Sequence, residues 1–241
     1  MKIDRWEEYQ EFFQLIILRY LVAWFTLVPI VAALVGQLPN PLPITLSGVT
    51  YTINLALPFH WQILWVSSLF FVIALGIYKV RCPKFIKKYN NYSDYSEYKH
   101  HPRWLAWEAH NLLKIASAKE KKILSERLSD KGYLEKLKEE LSEELCSKPK
   151  VEDKQTTIEF KVDGASYKFG MPILSTSEDQ ESEKDIFYEL FGRYSASRCI
   201  ARATIKIFLL FSLVLFIIVL GQHIFSGAVL SWKWFVGMTQ V

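Results

Sequence analysis

The fold of this chain is decided by residues 20–78, which read YLVAWFTLVPIVAALVGQLPNPLPITLSGVTYTINLALPFHWQILWVSSLFFVIALGIY. None of these fifty-nine residues is Asp, Glu, Lys or Arg. A soluble domain of that length needs charged side chains on its outward face, whereas two membrane crossings of about 20 residues each need none. The stretch therefore predicts a transmembrane hairpin.

Charged residues are concentrated in one segment outside this stretch. Residues 80–203 carry 23 basic and 21 acidic side chains, out of 29 and 25 in the whole chain. A segment of about 124 residues is long enough to bury a core of its own. We therefore expect an α-helical membrane protein with an inserted, helix-rich α+β domain in the cytoplasm. Its predicted divisions are residues 1–79, 80–203 and 204–241.

Apolar runs predict three transmembrane spans. They are residues 13–36, residues 59–79 and residues 204–225, the last of which contains the run IFLLFSLVLFIIVLG. Lys233 interrupts the remaining residues, 226–241, and leaves them too short for a further span. We interpret them as an outer interfacial segment, with a short re-entrant turn over residues 227–241 as the alternative.

The segment between the first two spans, residues 37–58, has the composition of a small β-hairpin. Its ITL and VTYTINL runs are rich in β-branched residues, and Ser47-Gly48 between them favours a tight turn. An isolated two-stranded hairpin is marginally stable in water. We therefore expect this hairpin to pack on the membrane surface outside the cell or on copies of itself.

Basic residues predict the orientation of the chain. Five of them follow the second span within ten residues: Lys79, Arg81, Lys84, Lys87 and Lys88. The segment 37–58 contains none, and basic residues favour the cytoplasmic side. We therefore expect a multi-pass protein of the bacterial inner (plasma) membrane. Its N-terminus and residues 80–203 lie in the cytoplasm, and its C-terminus lies outside.

Within the cytoplasmic domain, periodicity predicts helices followed by a hairpin. A helix is expected over residues 103–117 and one or two more over residues 118–146, with a break near Gly132 and a leucine stripe at Leu134, Leu137, Leu141 and Leu145. Alternation on both sides of Asp163-Gly164 predicts a β-hairpin over residues 156–170. The acidic residues 175–185 predict a loop, and residues 186–203 a helix that leads into the third span.

Aromatic residues early in this domain are the candidate partner or membrane-interface residues. They are Tyr89, Tyr92, Tyr95, Tyr98, Trp104 and Trp107. The first interpretation is a functional surface, either a docking site for a partner or a platform for nucleotide bases. The second is a set of aromatic side chains packed between lipid headgroups and the domain. The second interpretation is favoured because Tyr and Trp prefer membrane interfaces.

Two further sets of residues lie within the predicted spans. Arg19 is an intramembrane charge. Such a charge can line a pore or pair with a carboxylate. We favour the alternative, in which Arg19 lies near the helix end and its side chain reaches the lipid headgroups. Small and polar residues promote helix packing in membranes. The candidates for packing in an oligomer are Ser67, Ser68, Gly76 and Ser212.

No local motif for catalysis or for cofactor binding occurs in the sequence. His100, His101 and His110 lack the spacing and the cysteine partners of a metal site. Cys82, Cys146 and Cys199 are an odd, scattered set that predicts free thiols. We therefore expect no enzyme, no metal and no cofactor, and no direct contact with nucleic acid.

Two classes of function fit this organisation. The first is an interaction protein, a membrane anchor or sensor that presents its cytoplasmic domain to a soluble protein partner, within an antiviral defence or stress-response system. The second is an oligomeric membrane effector, which forms a pore or disrupts the bilayer when the domain binds a signal. Both imply a homo-oligomer in contact with the lipid bilayer.

Overall fold

The computed structural model describes residues 5–39, 41–46, 49–53, 59–137, 146–173 and 179–238. In chain order its helices are α1 (Trp6–Gln14), α2 (Ile16–Val35), α3 (Trp61–Arg81), α4 (Lys84–Lys88), α5 (Tyr92–Glu97), α6 (Trp104–Ile115), α7 (Ala118–Asp130), α8 (Asp179–Ala196) and α9 (Cys199–Met238). Its strands are β1 (Leu42–Leu46), β2 (Val49–Ile53), β3 (Leu134–Lys136), β4 (Lys150–Val151), β5 (Gln155–Val162) and β6 (Ala165–Pro172).

The chain forms two compact units. The first comprises Met1–Glu11 and Val80–Arg202, and the second comprises Phe12–Lys79 and Ala203–Val241. Residues 1–11, which precede the first apolar run, thus belong to the same unit as the charged segment. The protein is mostly helical, with small antiparallel sheets.

Among the described residues, two helices are long and apolar enough to cross a membrane. They are α3, with a mean hydropathy of 2.0, and Cys199–Val236 within α9, with a mean hydropathy of 2.8. By the same measure α2 contains only a shorter apolar stretch, Val22–Val35. The count of three spans therefore stays a prediction.

The second unit has a core formed by apolar side chains of its three long helices. The buried members are Leu18, Phe25, Val28, Leu64, Phe71 and Val219. Strands β1 and β2 pair antiparallel, from Leu42 opposite Ile53 to Leu46 opposite Val49. The predicted outer hairpin is thus present as a strand pair. Its turn residues, Ser47 and Gly48, lie outside the described residues.

The end of the chain differs from its prediction. Helix α9 continues without a break to Met238, so the turn of the re-entrant alternative for residues 227–241 is absent as far as that residue, whereas the interfacial location of residues 226–241 stays a prediction. The run contains no proline to end the helix. A long lysine side chain such as that of Lys233 can also extend toward a polar environment, so its charge need not interrupt a helix.

The first unit packs helices against a four-stranded antiparallel sheet with the order β3-β6-β5-β4. Strands β5 and β6 form the predicted hairpin, with Val162 opposite Ala165. Its turn residues Asp163 and Gly164 have φ values of 51° and 81°. Two positive φ angles are what a type I′ turn requires, and Asp-Gly is a preferred pair for it.

The break predicted near Gly132 is present, but the leucine stripe that follows it begins as a strand and not as a helix. Helix α7 ends at Asp130, because Gly132 has φ 76° and the amides of Gly132 and Tyr133 bond back to Ser129 O and Leu128 O. This is the Schellman termination of a helix. Leu134 then pairs with Phe169 in the sheet. Leu141 and Leu145 lie outside the described residues.

The acidic loop and the helix after it also differ from prediction. Residues 179–185 form the first turns of α8, while residues 175–178 lie outside the described residues. Acidic side chains stabilise a helix N-terminus through its dipole, which accounts for helix where a loop was predicted. The helix predicted over residues 186–203 is interrupted after Ala196, and Arg198 there has φ 53°.

Candidate functional site

Lys88 lies among aromatic side chains in the first unit. We call Lys88, Tyr89, Tyr98, His100 and Trp104 the Lys88 cluster. Lys88 is the last residue of α4, Tyr98 follows the last residue of α5, and Trp104 is the first residue of α6. Three consecutive helices therefore position the cluster.

Local backbone chemistry holds the segment between α4 and α6 in place. The side chain of Asn91 caps α5 by accepting a hydrogen bond from the Asp94 amide at 2.9 Å. Asp94 Oδ2 in turn accepts hydrogen bonds from the backbone N and side-chain Nδ2 of Asn90. Lys99 has φ 49°, a left-handed conformation that costs a non-glycine residue about 1–2 kcal/mol. This reversal brings the rings of Tyr98 and His100 into a parallel stack, with centroids 5.5 Å apart and planes 3° apart.

The ammonium group of Lys88 contacts three of these rings. Its Nζ lies 4.4 Å from the ring centroid of Tyr98 and 5.0 Å from that of Tyr89. It also lies 3.1 Å from His100 Nε2. Since an ammonium group only donates, Nε2 is the acceptor and the imidazole is neutral. Burial, and then the positive charge of Lys88, lower the pKa of His100 in agreement with that state.

The six aromatic residues singled out in the sequence divide into a buried and an exposed set. Tyr89 and Tyr95 are buried, and Tyr92 is half-buried. Tyr98, Trp104 and Trp107 are exposed, by 54%, 47% and 39%. The exposed set alone is available to a partner or to a membrane.

The buried tyrosines belong to an aromatic core of the first unit. The ring of Tyr89 contacts that of Phe85, with centroids 5.3 Å apart, and the ring of Tyr95 lies 5.2 Å from that of Phe187. Burial raises the pKa of Tyr95, and the nearby carboxylate of Glu183 adds to the effect. These two rings therefore stabilise the unit and do not form a free platform for bases.

Two polar members of the cluster, Lys88 and His100, are not among the site residues predicted from the sequence. Lys88 was grouped with the basic run that sets orientation, and His100 was considered only as a metal ligand. Lys88 and Tyr89 are neighbours in the chain, but Tyr98 and His100 reach Lys88 only through the reversal at Lys99. The signal available was a basic residue directly before the tyrosine series.

No family model, curated protein or solved structure matches this chain. The geometry and charge of the cluster are therefore the basis for assigning its chemistry. A lysine held against ring faces leaves a positive charge beside exposed aromatic side chains.

A second pair of reactive groups, His110 and Cys146, does not have the properties of a catalytic dyad. His110 Nδ1 lies 3.3 Å from Cys146 Sγ. Burial raises the pKa of the Cys146 thiol to about 11 and lowers the pKa of His110. A catalytic cysteine needs the opposite shift, because the thiolate is the nucleophile. Among the described residues, no group of three His, Cys, Asp or Glu side chains is placed to hold a metal ion.

The three serines predicted for packing in an oligomer form hydrogen bonds within the chain. The hydroxyl of Ser67 donates to the backbone carbonyl of Ser212 at 2.8 Å, and Ser68 donates to Trp65 O at 2.6 Å. Gly76 is exposed, and a Cβ atom added there would have nothing within 4 Å. Ser67, Ser68 and Ser212 thus have hydrogen-bond partners in a single chain, and all four residues stay predicted candidates for packing in an oligomer. Arg19 is part of α2, but its side chain lies outside the described part of the structure.

Proposed function

We propose that this chain is an integral membrane protein that holds its first unit at the cytoplasmic face of a bacterial inner membrane and presents it to a soluble protein partner. In this proposal α2, α3 and α9 are three spans, and the N-terminus and residues 80–202 share the cytoplasmic side. The protein acts as an anchor or sensor and assembles as a homo-oligomer.

One observation carries the membrane part of the proposal. The most apolar window of α9 is only 17% buried within the chain, although its mean hydropathy is 2.8. The core helix of a soluble protein would be mostly buried. Exposing apolar surface to water costs about 25 cal/mol per Å². A helix with this composition and this exposure is therefore stable only in an apolar environment such as a bilayer.

Exposed aromatic side chains support a soluble partner. Tyr188 on α8 is exposed, and its ring lies 6.4 Å from that of the half-buried Tyr92. Tyrosine and tryptophan are enriched among residues that dominate the binding energy of protein interfaces. Tyr188 and Trp107 are therefore the positions where we expect contact with the partner.

The topology is tested with single cysteines in a chain whose three native cysteines are changed to Ser. The structure directs the choice of positions, since the native Cys146 thiol would react slowly on either side of the membrane. Thr52→Cys on β2 and Ser96→Cys on α5 are both exposed. An impermeant maleimide should label Thr52→Cys in intact cells and Ser96→Cys only after lysis. Labelling of Ser96→Cys in intact cells would overturn the orientation.

The partner is tested with a photo-crosslinking amino acid in the full-length chain. Placed at Tyr188, it should capture one soluble protein in stoichiometric yield. The matched control is Glu126 on α7, which is also exposed and should capture little. Equal capture of many proteins at both positions would contradict the proposal. If overexpression of the chain alone depolarises the membrane, the effector function replaces the anchor.

A further inference from the structure

The basic run that extends from the end of α3 through α4 has no acidic residue within it. Residues 79–88 read KVRCPKFIKK, and the first acidic residue after them is Asp94. Lys84 and Lys88 are both exposed. They are four residues apart on α4, so they lie on one face of that helix.

Contacts within the chain hold the side chain of Lys88 in place without a ligand. Two cation–π contacts, to Tyr89 and Tyr98, and one hydrogen bond, to His100 Nε2, restrict its otherwise flexible side chain. An ammonium group has three donors, and the bond to His100 uses one. A site organised in this way loses less conformational entropy when it binds an anion.

Two carboxylates in this part of the first unit, those of Glu108 and Asp94, have hydrogen-bond partners of their own. The Glu108 carboxylate accepts a hydrogen bond from the Tyr194 hydroxyl at 3.1 Å. Burial is the larger effect and raises the pKa of Glu108, whereas that bond and the positive charge of Lys88 both lower it. Asp94 is engaged by Asn90 through its carboxylate.

The exposed aromatic members indicate what kind of anion binds. Tyr98 and Trp104 are each about half exposed, so they form an open surface rather than the walls of a cavity. Small soluble ligands such as nucleotides bind mainly in concave sites. Tyrosine and tryptophan rings beside lysines on an open surface are instead typical of contacts at the level of lipid headgroups.

We propose that Lys88, with Lys84 beside it, binds the phosphodiester of an anionic phospholipid headgroup, and that Tyr98 and Trp104 lie at the headgroup level next to it. This inference rests on the proposed membrane location and adds to it a specific lipid contact. The site makes the first unit responsive to the amount of anionic lipid in the membrane.

The test uses the full-length chain in nanodiscs of phosphatidylcholine with increasing fractions of phosphatidylglycerol. Hydrogen–deuterium exchange is followed in peptides that cover residues 84–104. Exchange should slow as phosphatidylglycerol increases. In Lys88→Gln, the fraction needed for half of the effect should rise about fivefold, since a lysine near an anionic surface contributes about 1 kcal/mol. Lys84→Gln should give a smaller shift in the same direction.

Two controls separate this site from general attraction of charge. Lys119→Gln removes an exposed lysine elsewhere in the first unit and should leave the titration unchanged. Inorganic phosphate added to discs of pure phosphatidylcholine should not slow exchange. If Lys119→Gln shifts the titration as much as Lys88→Gln, the attraction is general and the site is overturned. If inorganic phosphate alone slows exchange, the site takes a free anion and not a lipid.

The outcome also distinguishes this inference from the proposed function. If the chain inserts into the discs but its hydrogen–deuterium exchange is the same with and without phosphatidylglycerol, the lipid site alone is overturned. A chain that does not co-purify with the discs overturns the membrane location, and the lipid site with it. Peptides from α7 serve as the internal reference, because no lipid contact is proposed for them.

Discussion

The indole Nε1 of Trp6 donates a hydrogen bond to the backbone carbonyl of Ser197 at 2.9 Å, although 191 residues of chain separate them. The same carbonyl accepts a hydrogen bond from Arg202 Nε at 3.1 Å, and the hydroxyl of Tyr9 donates to Arg202 O at 3.0 Å. Trp6 and Tyr9 are both fully buried. Helix α1 therefore stabilises the junction between α8 and α9, where Arg198 adopts a positive φ.

Trp6→Ala should lower the free energy of unfolding by about 3–5 kcal/mol, because it leaves a cavity in place of a fully buried ring. Trp6→Phe keeps most of the apolar contact and loses the indole donor, so a loss of about 1–3 kcal/mol is expected. Thermal unfolding of the full chain in detergent measures both. Trp104→Ala, at an exposed position, is the control and should change stability little. Equal stability of Trp6→Ala and the native chain would contradict the role of α1.

Ser67→Ala should destabilise the second unit more than Ser212→Ala. The hydroxyl of Ser67 donates to the backbone carbonyl of Ser212, so changing Ser212 leaves that bond in place. Only the longer contact between the two hydroxyl oxygens, at 3.3 Å, is lost in Ser212→Ala. Side-chain hydrogen bonds between membrane helices average about 0.6 kcal/mol. Unfolding in mixed micelles of detergent and dodecyl sulfate measures the difference, and the reverse order of the two variants would refute it.

Glu183→Gln should raise the melting temperature at pH 7. Burial raises the pKa of Glu183. The stability that its protonated form contributes is therefore greatest below the pKa that the Glu183 carboxyl has in the unfolded chain. That stability is lost as the pH rises through the folded pKa. The gain from the substitution should therefore shrink toward acidic pH. Unfolding curves recorded at several pH values measure it.

Glu189→Gln on the same helix is the matched control for Glu183→Gln. Glu189 forms ion pairs with Arg127 and Lys131, each at 3.3 Å. Removing its charge should lower the melting temperature, by an amount that corresponds to about 1 kcal/mol or less because both partners are partly exposed. A fall in both variants would show that the Glu183 carboxylate stabilises the fold.

Cys146 should be alkylated at least about tenfold more slowly than an exposed cysteine at pH 7.5, because the thiolate is the reacting form and its pKa is about 11. Ser96→Cys supplies the exposed reference in the same chain. The rate at Cys146 should rise with pH up to that value. Peptide mass spectrometry after timed exposure to iodoacetamide measures both rates. Faster reaction at Cys146 than at the reference would identify an activated thiol.

Gly76→Leu should weaken the proposed homo-oligomer without unfolding the chain. A Cβ added at this glycine would have nothing within 4 Å in a single chain, so the first atom of the leucine side chain has open space. Val72→Leu, one turn earlier on the same exposed face, is the matched control because it changes little volume. Mass photometry should show the native chain above the mass of one 28.1 kDa chain plus micelle, and Gly76→Leu nearer to it. A native chain at the mass of a monomer would end the oligomer proposal.

Local patterns in the sequence predicted those parts of the fold that local forces produce. The hairpin around Asp163-Gly164 is present because the turn dipeptide and the alternation act within a few residues. Helix α6 is likewise close to its predicted range. Leu134 is different, since its helical spacing to Leu137 was overridden by the cap at Gly132 and by pairing with Phe169. The candidate site was predicted only in part, because its tyrosines were named as site residues whereas their partner Lys88 was not.

The sequence by itself determined where apolar helices and charged regions lie, because the exclusion of charge from residues 20–78 is a property of composition and needs no contacts. Only the tertiary structure decided which aromatic side chains are buried. Tyr95 packs against Phe187, and Tyr98 stays exposed, although both belong to one regular series. The hydrogen bond between Trp6 and Ser197 likewise joins residues that are far apart in the sequence. The physical reason is that burial depends on which distant segments pack together, and spacing along one segment does not contain that information.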